Sequence, residues 1–121
     1  MIDITEIEIA VANASHVKYV DEVLETINHA AKVRGTGIAK RSPEYVKQKM
    51  IEGKAVLALY HGEEFAGFSY IESWSNKKFV ANSGLIVAPR FRGIGLAKVI
   101  KRRIFDLSRE MFPDAKIFSL T

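Results

Sequence analysis

The sequence predicts an α+β domain built on one mixed sheet, and three observations carry that expectation. Residues 7–11 alternate apolar with polar or small side chains, residues 55–60 are almost continuously apolar, and an amphipathic segment starts directly after Gly95. A period of two marks a half-buried strand, a short unbroken apolar run marks a strand covered on both faces, and spacings of three and four mark a helix. The resulting order is strand, helix, helix, three strands, helix, strand. With 121 residues and no internal repeat or long linker, the chain reads as one domain, 1–121, ending at the fifth strand.

Each element has a local reason. Ile7, Ile9 and Val11 form one face of the first strand. Asn13 or Ser15 then caps a helix whose stripe is Val17, Val20, Leu24, Ile27 and Ala31. The segment Arg34-Gly35-Thr36-Gly37-Ile38-Ala39-Lys40-Arg41 breaks the period and reads as a basic loop. Ser42-Pro43-Glu44 supplies a cap, a proline for the first helical position and an acid for the first turn, and Gly53 ends that short helix. His61-Gly62-Glu63-Glu64 turns the buried strand 55–60 into a partner running from Phe65 to Trp74. After Ser75-Asn76-Lys77-Lys78 a third strand covers about 79–87. The last helix carries Leu96, Ile100, Ile104, Leu107 and Met111 on one stripe, is stopped by Pro113, and gives way to a strand over 115–120.

Composition removes several classes of function. Apolar residues make up 48% and charged residues 26%, a balance that builds a core and excludes a disordered chain. There is no cysteine, so disulfides, thiolate catalysis and cysteine-ligated metal are excluded. No apolar run reaches the roughly 18 residues of a membrane span, and the first residues lack a secretory pattern, so a cytoplasmic protein without a membrane partner is expected. The net charge of +4 favours an anionic ligand, with cations gathered at Arg34, Lys40 and Arg41 and again from Arg90 to Arg103. Nucleic acid is not the expected partner: the aromatic and basic interleaving of RNA-binding sheets is echoed only in Phe65-Ala66-Gly67-Phe68-Ser69-Tyr70, which reads more simply as a core strand.

Chemistry concentrates in Gly84-Leu85-Ile86-Val87-Ala88-Pro89-Arg90-Phe91-Arg92-Gly93-Ile94-Gly95-Leu96-Ala97, a strand running through a glycine-spaced turn into a helix. Free N–H groups and the positive end of the dipole make such a helix start an anion site. Glycines at 93 and 95 remove the Cβ atoms that would hold a phosphate off the main chain, and Arg90, Arg92 and Lys98 add positive charge. A nucleotide-binding loop of the Walker type would end in Gly-Lys-Ser/Thr, whereas Leu96 and Ala97 follow Gly95 here. The three glycines and repeated βαβ unit of a dinucleotide fold are also missing. The segment resembles instead the acyl-coenzyme A signature of the GNAT N-acetyltransferase superfamily. Val87-Ala88-Pro89 matches its Val-x-Pro strand end, and Arg92-Gly93-Ile94-Gly95-Leu96-Ala97 matches its Arg/Gln-x-x-Gly-x-Gly/Ala turn. A second register, Arg90 to Gly95, fits the short pattern, but the distance from Val87-Ala88-Pro89 favours the first.

The resemblance implies acetyl-CoA as co-substrate and no metal. It implies that the backbone of Leu85, Ile86 and Val87 pairs with the pantetheine arm in a gap between splayed fourth and fifth strands. Arg92, Gly93, Ile94, Gly95, Leu96 and Ala97 would form the pyrophosphate turn, and Lys98, Lys101 or Arg102 would reach the adenosine 3′-phosphate. An amine would attack the thioester directly, with the Val87 N–H stabilising the oxyanion. Family members often carry a glutamate base on the fourth strand. Asn82 and Ser83 stand there in this chain, so Glu72 on the preceding strand is the nearest carboxylate by pattern, followed by His61. The catalytic candidates are therefore Glu72, Ser83 and Val87.

For the acceptor, the basic loop between the first two helices suits a carboxylate, with Arg34 or Arg41 as a bidentate clamp. Residues 31–46 and 80–121 resemble bacterial members associated with arginine biosynthesis, which implies glutamate as amine. The helix and two strands that usually follow the fifth strand, together with the tyrosine that serves as acid, are missing from this sequence. The expectation is therefore a C-terminally truncated GNAT fold, with a homodimer left open. The alternative to an N-acetyltransferase is a non-catalytic acyl-CoA-binding module that needs a partner or the missing elements.

Overall fold

The computed structural model describes residues 2–34, 42–74 and 78–119. In chain order the elements are β1 (Ile7–Val11), α1 (Val20–Arg34), α2 (Pro43–Ile51), β2 (Ala55–Tyr60), β3 (Glu64–Trp74), β4 (Phe79–Val87), α3 (Leu96–Met111) and β5 (Lys116–Ser119). They form one five-stranded sheet in the order β1-β2-β3-β4-β5. The first four strands are antiparallel, and β5 joins β4 in parallel, a crossover through α3. This is the α+β mixed sheet that the sequence predicts.

The sheet is covered on both faces, which is why β2 has no polar side. Ala55, Leu57 and Leu59 pack with Val20, Val23, Val46 and Met50 of α1 and α2. Val56 and Ala58 point the other way and pack with Leu96, Ile100 and Ile104 of α3. Strand alternation separates the two cores.

Two helical stripes differ from the spacing expected. Residues Ala14–Tyr19 form a 3₁₀ turn before α1, capped by Asn13, whose side chain accepts from the Ser15 N–H. Within α1, Val23 lies three residues after Val20 and four before Ile27, on the same face, and is fully buried, while Leu24 is only partly so. In α3, Met111 is exposed and Ser108 is buried in its place. The Ser108 hydroxyl accepts a 2.6 Å hydrogen bond from the Asn82 amide, so two buried polar side chains satisfy each other across the α3–β4 interface.

Candidate functional site

Two features of β4 create an opening at its end. β5 pairs with β4 only from Phe79 to Asn82, so from Ser83 onward the β5-side edge of β4 has no strand partner among the described residues. Between the Tyr70–Ser83 and Phe68–Ile86 pairs, β4 also carries one more residue than β3, a bulge containing Gly84 at φ +64°. A side chain at Gly84 would lie 2.3 Å from the Tyr70 ring, so close packing as well as dihedral requires glycine there.

The bulge sets which backbone groups face the opening. The Ala88 N–H donates to Ala66 of β3 at 2.8 Å. Amides alternate along a strand, so the N–H groups of Val87 and Leu85 point away from β3, toward the uncovered edge. The Val87 carbonyl follows the same direction and accepts from Arg92 Nε at 3.2 Å. Ile86 belongs to the opposite set, with its side chain buried in the core under α1 and α2. Leu85 and Val87 are half-buried and pack on the α3 side.

The turn after β4 completes a cradle. Gly93 and Gly95 adopt φ +81° and +83°, and a Cβ built on either meets nothing within 4 Å. Gly95 is the N-cap of α3 and has no side chain to offer, so the first N–H groups of the helix keep no protein cap. A depression of about 310 Å³ lies over this turn, lined by Val87, Phe91, Arg92, Gly93, Gly95, Leu96, Ala97 and Lys98. A second depression of about 300 Å³ lies beside it, between α3 and β4, lined by Asn82, Lys98, Lys101, Arg102 and Phe105. Lys98 borders both.

The predicted phosphate-turn residues thus converge, with two refinements. The Arg92 N–H is turned to the Pro89 carbonyl at 3.4 Å, which leaves the amides from Gly93 onward for a ligand. Ile94 is half-buried against the α3-side core and does not line the depression. Arg90 does not face the cradle. It pairs with Glu64 at the start of β3 and lies over the rings of Tyr60 and Phe91, and the Glu64 hydrogen bond raises its pKa above the ordinary guanidinium value.

Two of the catalytic candidates, Glu72 and Ser83, lie on the other face of the sheet from Val87. Tyr70 opposes Ser83 and Glu72 opposes Ala81, so Tyr70, Glu72, Ala81 and Ser83 share the face covered by α1 and α2. Glu72 and Ser83 are diagonal neighbours there, roughly 7 Å apart. The Glu72 carboxylate accepts from the Tyr45 hydroxyl of α2. Lys49, one turn further along α2, donates to the Ile71 carbonyl at 2.7 Å. Its pKa is held below the usual lysine value by burial first and Lys54 second, against the opposing pull of Glu72 and Glu52. The sequence reading missed Tyr45 and Lys49. His61 stands apart, exposed in the β2–β3 turn and 3.7 Å from Glu6. Arg41 and the side chain of Arg34 lie outside the described residues.

N-acetylglutamate synthase from Neisseria gonorrhoeae, complexed with coenzyme A and N-acetyl-glutamate, superposes with a TM-score of 0.75 at 17% identity over 95% of this chain. The chain has the GNAT acetyltransferase fold. A Mycobacterium tuberculosis protein in complex with coenzyme A gives 0.71 at 15% identity over 94% of this chain. This chain spans 25% of the Neisseria protein and 64% of the mycobacterial one. A putative GNAT acetyltransferase from Staphylococcus aureus gives 0.68 at 18% identity, covering 96% of this chain and 99% of that one. No protein-family profile and no curated protein matches the sequence. No helix among the described residues is long and apolar enough to cross a membrane.

Proposed function

We propose that this chain binds acetyl-CoA at the start of α3 and transfers its acetyl group to the primary amine of a small acceptor. The observation that carries the reading is the cradle itself: two open, positive-φ glycines, an uncapped helix start and the adjoining cations Arg92 and Lys98. These residues fit a pyrophosphate, because main-chain N–H groups and a helix dipole favour an anion that no Cβ holds away. The fold's likeness to proteins solved with coenzyme A supports the same ligand.

The thioester supplies an acetyl group activated toward amines. The chain's own residues do the rest. Amides of Gly93, Gly95, Leu96 and Ala97 hold the pyrophosphate, and Lys98, with Lys101 or Arg102, meets the 3′-phosphate. The outward backbone groups of Leu85 and Val87 pair with the pantetheine amides as a further strand would. From that pairing the arm carries the thioester back along β4 toward Ser83, the part of the strand that Glu72 neighbours. Glu72 takes the proton of the acceptor ammonium, directly or through water across the Ser83 side of the sheet.

A carboxylate-bearing amine such as glutamate is the first acceptor to test. The likeness to N-acetylglutamate synthase and the basic residues Arg34, Lys40 and Arg41 of the sequence support it. Incubation with acetyl-CoA and a panel of amines, followed by release of the coenzyme thiol, is the test. Turnover that depends on a particular amine is the expected result. One observation favours a binding-only module instead: β4 carries Asn82 and Ser83, neither of them a base by itself, where related enzymes often carry a glutamate. Acetyl-CoA binding without turnover of any amine would establish that second reading.

A further inference from the structure

β3 outruns β2. The last pair between them joins Ala55 to Tyr70, so β3 from Ile71 onward extends past the start of β2. The backbone of this overhang finds its partners elsewhere. The Ile71 N–H donates to the Lys54 carbonyl at 2.8 Å, and the Ile71 carbonyl accepts from Lys49 Nζ at 2.7 Å. Tyr45, four residues before Lys49 and on the same face of α2, donates its hydroxyl to Glu72. Val46 and Met50 on the adjacent face are 1% and 0% exposed, so the helix is locked in rotation and both polar contacts are held in register.

A glutamate on a half-exposed strand end ordinarily samples several rotamers. Here a phenol anchored in a packed helix, with its ring edge-on to the buried Tyr70 ring at 5.8 Å, selects one of them. The Lys49 ammonium beside it adds a favourable charge. The carboxylate lies on the sheet face shared with Ser83, the last residue of β4 before the bulge.

We propose that Tyr45 is a positioning residue for acetyl transfer, fixing the Glu72 carboxylate where the acceptor amine is deprotonated. This rests on the acetyltransferase reading above and adds α2 to the reacting end of the site. The acceptor ammonium loses two protons in becoming an amide. Glu72 accepts the first and returns it to solvent. The nitrogen lone pair forms the C–N bond as the C–S bond breaks, and the second proton leaves on the sulfur as the thiol forms. Tyr45 keeps its own proton throughout.

A kinetic double-mutant cycle with Tyr45→Phe, Glu72→Gln and the double variant tests this, with coenzyme thiol release as readout and thermal melts as the folding control. Tyr45→Phe is expected to lower kcat about tenfold with the KM for acetyl-CoA unchanged, and Glu72→Gln to lower it about a hundredfold. Because Tyr45 acts through Glu72, the double variant is expected to be no slower than Glu72→Gln alone. Losses that multiply, or a Tyr45→Phe enzyme as fast as the wild type, would overturn the assignment while leaving the acetyltransferase reading intact. A wild-type protein that binds acetyl-CoA and turns over no amine would overturn that reading and this assignment with it.

Discussion

Replacing Gly95 by aspartate is expected to abolish acetyl-CoA binding while leaving the chain folded. Gly95 caps α3 at φ +83° with open space where a Cβ would stand, so the new side chain displaces no neighbour. Aspartate is among the residues that tolerate the left-handed region, and an acid at a helix start is favourable to the helix. The carboxylate nevertheless stands where the pyrophosphate is held. Like charges at that distance in a partly enclosed site, together with N–H groups already engaged by the new carboxylate, are expected to weaken binding at least about a hundredfold. Calorimetric titration of the variant beside its melting curve separates the two effects. Wild-type affinity in Gly95→Asp would move the cradle elsewhere.

The second large effect is on stability. Gly84→Ala is expected to destabilise the fold by about 3 kcal/mol or more, because strain and overpacking act together. Its φ of +64° disfavours any side chain, and the added Cβ would sit 2.3 and 2.6 Å from two atoms of the Tyr70 ring. Tyr70 is 1% exposed and wedged between Phe68 and Tyr45, so the ring has no space to turn into. A fall in Tm of about 10 °C would follow for a chain of this size. A variant that melts within a degree or two of the wild type would mean that the bulge is not a fixed element of the fold. Because the bulge directs the Val87 amide outward, any Gly84→Ala protein that does fold is also expected to bind acetyl-CoA more weakly.

Much of this architecture is legible in the amino-acid order. The apolar run at 55–60 specifies a strand covered on both faces, and Ser42-Pro43 and Pro113 punctuate helices where the structure begins and ends them. Gly93 and Gly95 are legible because a glycine pair between a strand and an amphipathic helix has few other uses. The contacts that escape the sequence depend on register. Tyr45 and Glu72 are 27 positions apart, and only the overhang of β3 past β2 brings them together. Arg90 and Arg92 look equivalent in a string. The short turn at Pro89–Phe91 sends the first back to Glu64 and keeps the second at the cradle. Val23 escapes because it and Leu24 both neighbour Val20 and Ile27 on α1, and apolar spacing does not say which of the two faces the core more fully.

The most direct test of the account is a thermal-shift titration of the chain with acetyl-CoA, with coenzyme A and ATP as controls. A ligand at about a hundred times its dissociation constant stabilises a folded chain by roughly 2.7 kcal/mol, enough for a shift of several degrees. The cradle and the open edge of β4 predict a shift with both coenzyme species, little with ATP, and none in Gly95→Asp. An equal shift with ATP would reduce the cradle to a general phosphate site. No shift with any of the three would contradict the assignment of coenzyme binding to the start of α3.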